Sequence, residues 1–255
     1  MHQYINEMKE HEFVLWVIGA NAKDKGKFVY ELPKNVVEVH EVFLDDALRL
    51  KDSGKMFHAF TEEETNSLKE LMLCRRPNWE ILFRLYHDQK LNPMSFLRSE
   101  EFLNILTECC IKDYPYTPFA DAFHTMRSML LPVLYLMGSE VPKADVYHAI
   151  CTGYGGLLAC LGGHVYKKKV LLTEHGIYTR EREEEIIRAK WVQPAFKKQW
   201  ISFFYMLSDI IYTRAFLVSA LFTNAMHAQI QMGCDKGKCR VVENGINYER
   251  LSLFH

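Results

Sequence analysis

The sequence predicts an α/β fold built on a Rossmann-like parallel sheet that carries an all-helical insertion. Three observations lead there. Apolar runs of strand length such as "FVLWVIGA" (13–20) and "KVLLTE" (169–174) are continuous enough to be covered on both faces, as the strands of a parallel sheet are. These runs alternate with segments of helical periodicity, and strands separated by helices imply parallel pairing through right-handed crossovers. Between about residue 45 and about residue 137 the β-branched runs disappear and helical signals repeat instead.

In chain order, residues 3–10 read as a helix fragment, followed by the strand at 13–20 and a second strand, "NVVEVHEVFL" (35–44), after the turn at Pro33, Lys34 and Asn35. Inside the insertion, "TEEETNSLKELML" opens with Thr61 three residues before Glu64, the spacing of a capping box. "NWEILFRLYHDQ" and "SFLRSEEFLNILTECCI" place apolar residues at helical spacing. "TPFADAFHTMRSMLLPVLYLMG" reads as a helix capped by Thr117, with Pro118 at its first position, a kink at Pro132 and an end at Gly138. Alternation then resumes with a strand in "ADVYHAIC" (144–151), the turn "TGYGG", and a helix to about Leu161 stopped by Gly162-Gly163. Next come the strand at 169–174, a charged helix from about Thr179, a long helix from about Lys198, the strand "FLVSALF" (216–222), a helix through about Met232 and a last strand, "CRVVEN" (239–244).

Composition narrows the function. The chain has 255 residues, 49% of them hydrophobic, enough for a substantial core, and its 31 basic and 32 acidic residues give a net charge of -1. That balance lacks the basic excess that nucleic-acid binding favours. Seven scattered cysteines suit reduced thiols in a cytoplasm better than a disulfide framework. The run at 13–20 follows a mixed, slightly acidic segment instead of the basic region of a secretory signal. The longer run at 200–222 is interrupted by Asp209 and Arg214, so it reads as helix then strand.

The candidate site follows from strand polarity, because open parallel sheets bind ligands outside the carboxyl ends of their strands. Glu174, His175 and Gly176 fall at one such end, and Gly153, Tyr154, Gly155 and Gly156 at the one before it. Read functionally, Glu174 and His175 supply proton-transfer or hydrogen-bonding groups, while the glycines let backbone N–H groups approach a ligand. Read structurally, His175 satisfies a backbone carbonyl, and Glu174 pairs with Arg180 or Arg182. Familiar motifs are absent. Leu158 breaks a dinucleotide fingerprint, no hydroxyl residue follows Lys238 in the P-loop-like "GCDKGKC", and Cys234 and Cys239 have no second pair with which to hold zinc. No H-E-x-x-H, G-x-S-x-G or D-x-D is present.

Four segments taken together, "DVYHAICTGYGGLLA", "LLTEHGIYTREREEEI", "FKKQWISFFYMLSDIIY" and "RVVENGIN", resemble the amino-terminal half of the PelF-type family 4 glycosyltransferases, as does "KDKGKFVYELPKNVVEVHEVFLDDAL" near the start. The resemblance covers essentially the whole chain. It implies residues 1–240 as the acceptor-side Rossmann-like domain of a GT-B fold, with 241–255 crossing into a nucleotide-sugar domain. It also implies sugar transfer with retention, no metal, and a nucleotide-sugar donor such as UDP-glucose for the full-length enzyme. The partners it implies are a carbohydrate acceptor and a membrane-bound polysaccharide synthesis and export complex, with no nucleic acid.

Carried over by position, His175 matches the histidine that faces the donor sugar. Glu174 and Gly176 complete that motif, and Gly153, Gly155 and Gly156 match the neighbouring glycine turn. Tyr178, Arg180 and Arg182 match the charged continuation, in which either arginine serves equally well as an ion-pair partner of Glu181, Glu183 or Glu184. Asn244 and Gly245 belong to a V-x-N-G-I-D-like signature in which Asn247 replaces the aspartate. Against that family, the donor-binding domain and the first strand with its Gly-Gly loop are not found, so the chain is expected to be inactive alone. A non-catalytic module that binds a carbohydrate or a partner is the alternative, and a nicotinamide dehydrogenase is disfavoured by Leu158.

Overall fold

A computed structural model describes residues 2–50 and 58–245; the expectation placed on Asn247 lies outside them. Among the described residues six strands form: β1 (Phe13–Gly19), β2 (Val36–Phe43), β3 (Val146–Ala149), β4 (Lys169–Glu174), β5 (Leu217–Ala220) and β6 (Cys239–Val241). Every pairing is parallel, so the fold is α/β and Rossmann-like. The strands divide into two sheets, β1-β2 and β3-β4-β5-β6. Tyr4 of α1 (His2–Glu7) spans the division, its ring edge-on to Phe13 of β1 at 6.1 Å and to His148 of β3 at 6.0 Å.

The insertion folds as α2 (Glu62–Met72), α3 (Trp79–Phe83), a π-helical turn at Arg84–Asp88, α4 (Pro93–Leu97), α5 (Glu100–Asp113) and α6 (Phe119–Met137). No strand occurs among its described residues. The Thr61 capping box forms in both directions, the hydroxyl accepting from Glu64 N–H at 3.3 Å and the Glu64 carboxylate from Thr61 N–H at 3.0 Å. At α6 the cap shifts by one residue. Thr117 donates its N–H to Tyr114 in a preceding turn, Pro118 becomes the cap, and the helix runs on through Pro132. The lobe is held to the sheet domain by Gln199, whose amide donates to the Met72 carbonyl at 2.9 Å, and by Arg214, which pairs with Glu80 at 2.5 Å.

Four further helices complete the sheet domain: α7 (Gly153–Tyr166), α8 (Tyr178–Arg188), α9 (Lys197–Arg214) and α10 (Thr223–Gln231). Along β4, Val170, Leu172 and Glu174 are buried while Lys169, Leu171 and Thr173 turn to the other face, the period-2 alternation of a strand. Helix α7 does not stop at Gly162-Gly163 as the sequence suggests. It continues to Tyr166 and ends on Lys167, which takes the left-handed conformation at φ 53°. The glycines serve close approach instead, since a Cβ at Gly162 would lie 2.4 Å from the Tyr147 ring and one at Gly163 would lie 2.5 Å from Val170. Tyr147 is itself fixed, donating its buried hydroxyl to the Pro142 carbonyl at 2.7 Å.

Gly162→Ala tests this packing. Helix propensity favours alanine by about 1 kcal/mol, and overpacking against a fixed ring costs about 1–3 kcal/mol or more, so a net loss of about 1–2 kcal/mol is expected as a lower denaturant midpoint at unchanged slope. An unchanged or higher midpoint contradicts the close approach of α7 to β3.

Candidate functional site

The parallel order places the carboxyl ends of β3, β4, β5 and β6 on one rim, and two of the turns there are locked together. Gly153 takes φ +69°, a conformation that side chains resist, and the Tyr178 ring fills the space beside it: a Cβ at Gly153 would lie 2.6 Å from that ring. The turns after β3 and β4 are therefore neighbours. Below them, three buried hydroxyls converge. Ser208 Oγ of α9 lies 2.9 Å from Thr152 Oγ1 and 2.7 Å from Thr179 Oγ1, and 3.0 Å from the Phe204 carbonyl. Thr152 occupies the cap position of α7, yet its side chain caps nothing and instead accepts from Ser208. The first-turn amides of α7, at Tyr154, Gly155 and Gly156, are left without a side-chain cap on the rim.

Glu174 and His175, adjacent in sequence, part company. Glu174 is 1% exposed and turns under the sheet, where one carboxylate oxygen accepts from the Tyr212 hydroxyl at 2.7 Å and from the Gln229 amide at 3.0 Å. Its other oxygen, and the Gln229 carbonyl oxygen, are buried without hydrogen bonds. Burial pushes the Glu174 pKa up, outweighing the Tyr212 and Gln229 hydrogen bonds and the Tyr178 backbone, which favour the ionised form. Burial and the adjacent carboxylate likewise push the Tyr212 phenol up. His175 is exposed beyond the strand end, and its ring makes no hydrogen bond among the described residues. The sequence reading that pairs Glu174 with Arg180 or Arg182 does not hold, nor does the one that satisfies His175 on a backbone carbonyl.

The remaining predicted residues separate into free and engaged groups. Gly176 lies against the Glu181 carboxylate, and Gly156 faces Ile211 of α9. Tyr154 packs its ring on Phe203 at 6.3 Å, and burial pushes its phenol pKa up. Tyr178 is half-buried, with Arg182 5.3 Å over its ring. Arg182 pairs with Glu185 at 2.6 Å, one helical turn on, rather than with Glu181, Glu183 or Glu184. Arg180 is exposed, as are Asn244 and Gly245 beyond β6.

Sequence reasoning missed the supporting residues. Tyr212, Gln229 and Ser208 are polar groups set in apolar helices, and that is the signal by which they could have been found. It also missed a polar row on the opposite face of the sheet. There the His148 ring lies 2.8 Å from the Thr173 hydroxyl, which lies 2.7 Å from that of Ser219, and burial pushes the imidazole pKa down. Among the described residues no cluster of three or more His, Cys, Asp or Glu side chains assembles into a metal site, and no helix is long and apolar enough to cross a membrane.

A family model described as "Domain of unknown function (DUF3492)" matches residues 1–237. No curated protein and no solved structure matches the chain.

The raised Glu174 pKa makes a pH prediction. The folded state holds this proton more tightly than the unfolded chain, so stability falls as pH rises from the ordinary value of 4.5 through the folded pKa. Glu174→Gln cannot ionise and keeps an oxygen for Tyr212 and Gln229. Its advantage over the wild type in denaturant midpoint is expected to grow as pH rises above 4.5 and through the folded pKa. Parallel pH profiles for the two proteins contradict this assignment.

Proposed function

The chain belongs to the DUF3492 family, and we propose that it is the acceptor-side part of a retaining glycosyltransferase of bacterial exopolysaccharide synthesis, of the PelF-type class that its sequence resembles. The observation that carries this reading is the exposed, unbonded His175 at a parallel strand end, beside a left-handed glycine turn whose helix amides are uncapped. Such a rim offers an imidazole and several N–H donors to the hydroxyls of a sugar. Transfer also requires groups that hold a nucleotide diphosphate and stabilise charge as it departs, a contribution of several kcal/mol when preorganised. In this reading a nucleotide-sugar domain outside these residues supplies them, with a donor such as UDP-glucose and with no metal. The site of action is the cytoplasm, at a membrane-bound synthesis and export complex. Glu174 then acts as a positioning residue that fixes the end of β4, and His175 is the residue that meets the sugar.

One observation favours a second reading. The burial of Glu174 leaves the rim without the carboxylate that the sequence motif suggested for proton transfer, which suits a non-catalytic carbohydrate- or partner-binding module.

Assay of the 255-residue chain with UDP-glucose and a soluble acceptor oligosaccharide, followed by amide exchange with the acceptor present, tests the proposal. No transfer is expected from the chain alone, and protection should centre on the turns after β3 and β4. His175→Ala should weaken acceptor binding by about tenfold, the equivalent of about 1.4 kcal/mol. Transfer at an ordinary enzymatic rate that His175→Ala abolishes would show that the whole machinery lies within these residues. Protection confined to other elements would remove the rim from the account.

A further inference from the structure

The geometry points to a second carbohydrate surface that leaves the rim along α8: a groove centred on Trp191 that takes an extended, uncharged glycan chain. Trp191 lies in the connection between α8 and α9 and is 66% exposed. It is nevertheless held in place. Its ring meets Trp200 edge-on at 5.5 Å, and Trp200 is in turn packed against Phe203 at 5.8 Å and stacked on Phe204 at 6.2 Å. An outer indole braced by an anchored inner one presents a flat apolar surface at little cost in side-chain entropy.

Trp191 lines two adjoining grooves. One, of about 190 Å³, separates it from α6, whose Asp121, His124, Thr125 and Ser128 line the opposite wall. Those four positions are spaced as neighbours on one face of a helix and form a polar stripe along it. Asp121, His124 and Gln193 make no side-chain hydrogen bond among the described residues. An apolar platform ringed by hydrogen-bonding groups matches a pyranose, whose C–H face stacks on an aromatic ring while its hydroxyls bond at the edge. This groove contains no lysine or arginine, so phosphate-bearing ligands lack a counter-charge there.

The other groove, of about 700 Å³, runs along α8 from Ile177 to Trp191 and so begins beside the rim. Its walls carry Glu181, Glu184 and Glu185 against Arg180 and Arg188, and Arg188 pairs with Glu184 at 3.3 Å. The excess of carboxylates disfavours acidic glycans. Helix α8, with 11 residues, spans about 16 Å, room for a chain of several sugars rather than one. This surface goes beyond the proposed transfer function, because binding here needs neither donor nor catalysis.

Isothermal titration calorimetry on the 255-residue chain with two uncharged hexasaccharides, cellohexaose and N-acetylchitohexaose, and with anionic hexagalacturonate tests it. At least one uncharged chain is expected to bind saturably, and hexagalacturonate about tenfold more weakly or not at all. Trp191→Ala should cost about tenfold or more in affinity, Trp191→Phe should restore most of it, and His124→Ala should weaken binding severalfold. His175→Ala should leave this binding in place. The inference is overturned if neither uncharged hexasaccharide binds, if Trp191→Ala binds as well as wild type, or if hexagalacturonate binds equally well. Binding lost in His175→Ala but kept in Trp191→Ala would place the glycan at the rim, overturning the groove while leaving the transferase reading intact.

Discussion

The rim depends on one small polar contact, the meeting of Thr152, Ser208 and Thr179 beneath it. All three hydroxyls are buried, and a buried hydroxyl left unpaired costs about 1–3 kcal/mol, so the three stay together or the region rearranges. Thr152 ends the segment after β3, Thr179 sits in the first turn of α8 after β4, and Ser208 belongs to the long helix that packs under both. Holding the three in contact sets the two strand ends at a fixed separation. The left-handed turn at Gly153 and the Tyr178 ring that fills the space beside it follow from that separation. The start of α7 is uncapped, the threonine at its cap position being turned toward Ser208.

The same constraint divides labour between two adjacent residues. Strand alternation directs Glu174 inward and releases His175 at the point where the strand ends. Inside, Glu174 meets a phenol, an amide and the Tyr178 backbone, yet burial governs its protonation, and its contribution is to fix the end of β4 against α9 and α10. Outside, the exposed His175 ring keeps its hydrogen-bonding capacity unspent. A motif that looks like a dyad in the sequence is a brace and a probe on opposite sides of one backbone.

Much of this was legible before folding. The run "KVLLTE" corresponds to β4 residue for residue, although reading it as covered on both faces did not foretell that Glu174 turns inward with Val170 and Leu172. The capping box at Thr61 and the helical character of the insertion were equally plain, because they rest on local chemistry. What escaped depends on residues far apart in the chain. Whether a glycine stops a helix or lets it approach a sheet is decided by what lies opposite, and at Gly162 that is Tyr147. The partner of Arg182 among four nearby glutamates is chosen by its rotamer over Tyr178. The last strand was expected to reach residue 244 but ends at Val241, with Val242 N–H still donating to the Ala220 carbonyl at 2.8 Å. The three hydroxyls come from segments up to 56 residues apart, and no spacing rule announces them.

Amide hydrogen exchange on Ser208→Ala tests the central claim most directly, since Thr152 and Thr179 lose their common partner while the helix keeps its backbone. The account predicts faster exchange at 152–156 and at 175–180 together, with β4 itself protected as in the wild type. Acceleration limited to α9, with both turns unchanged, would contradict it.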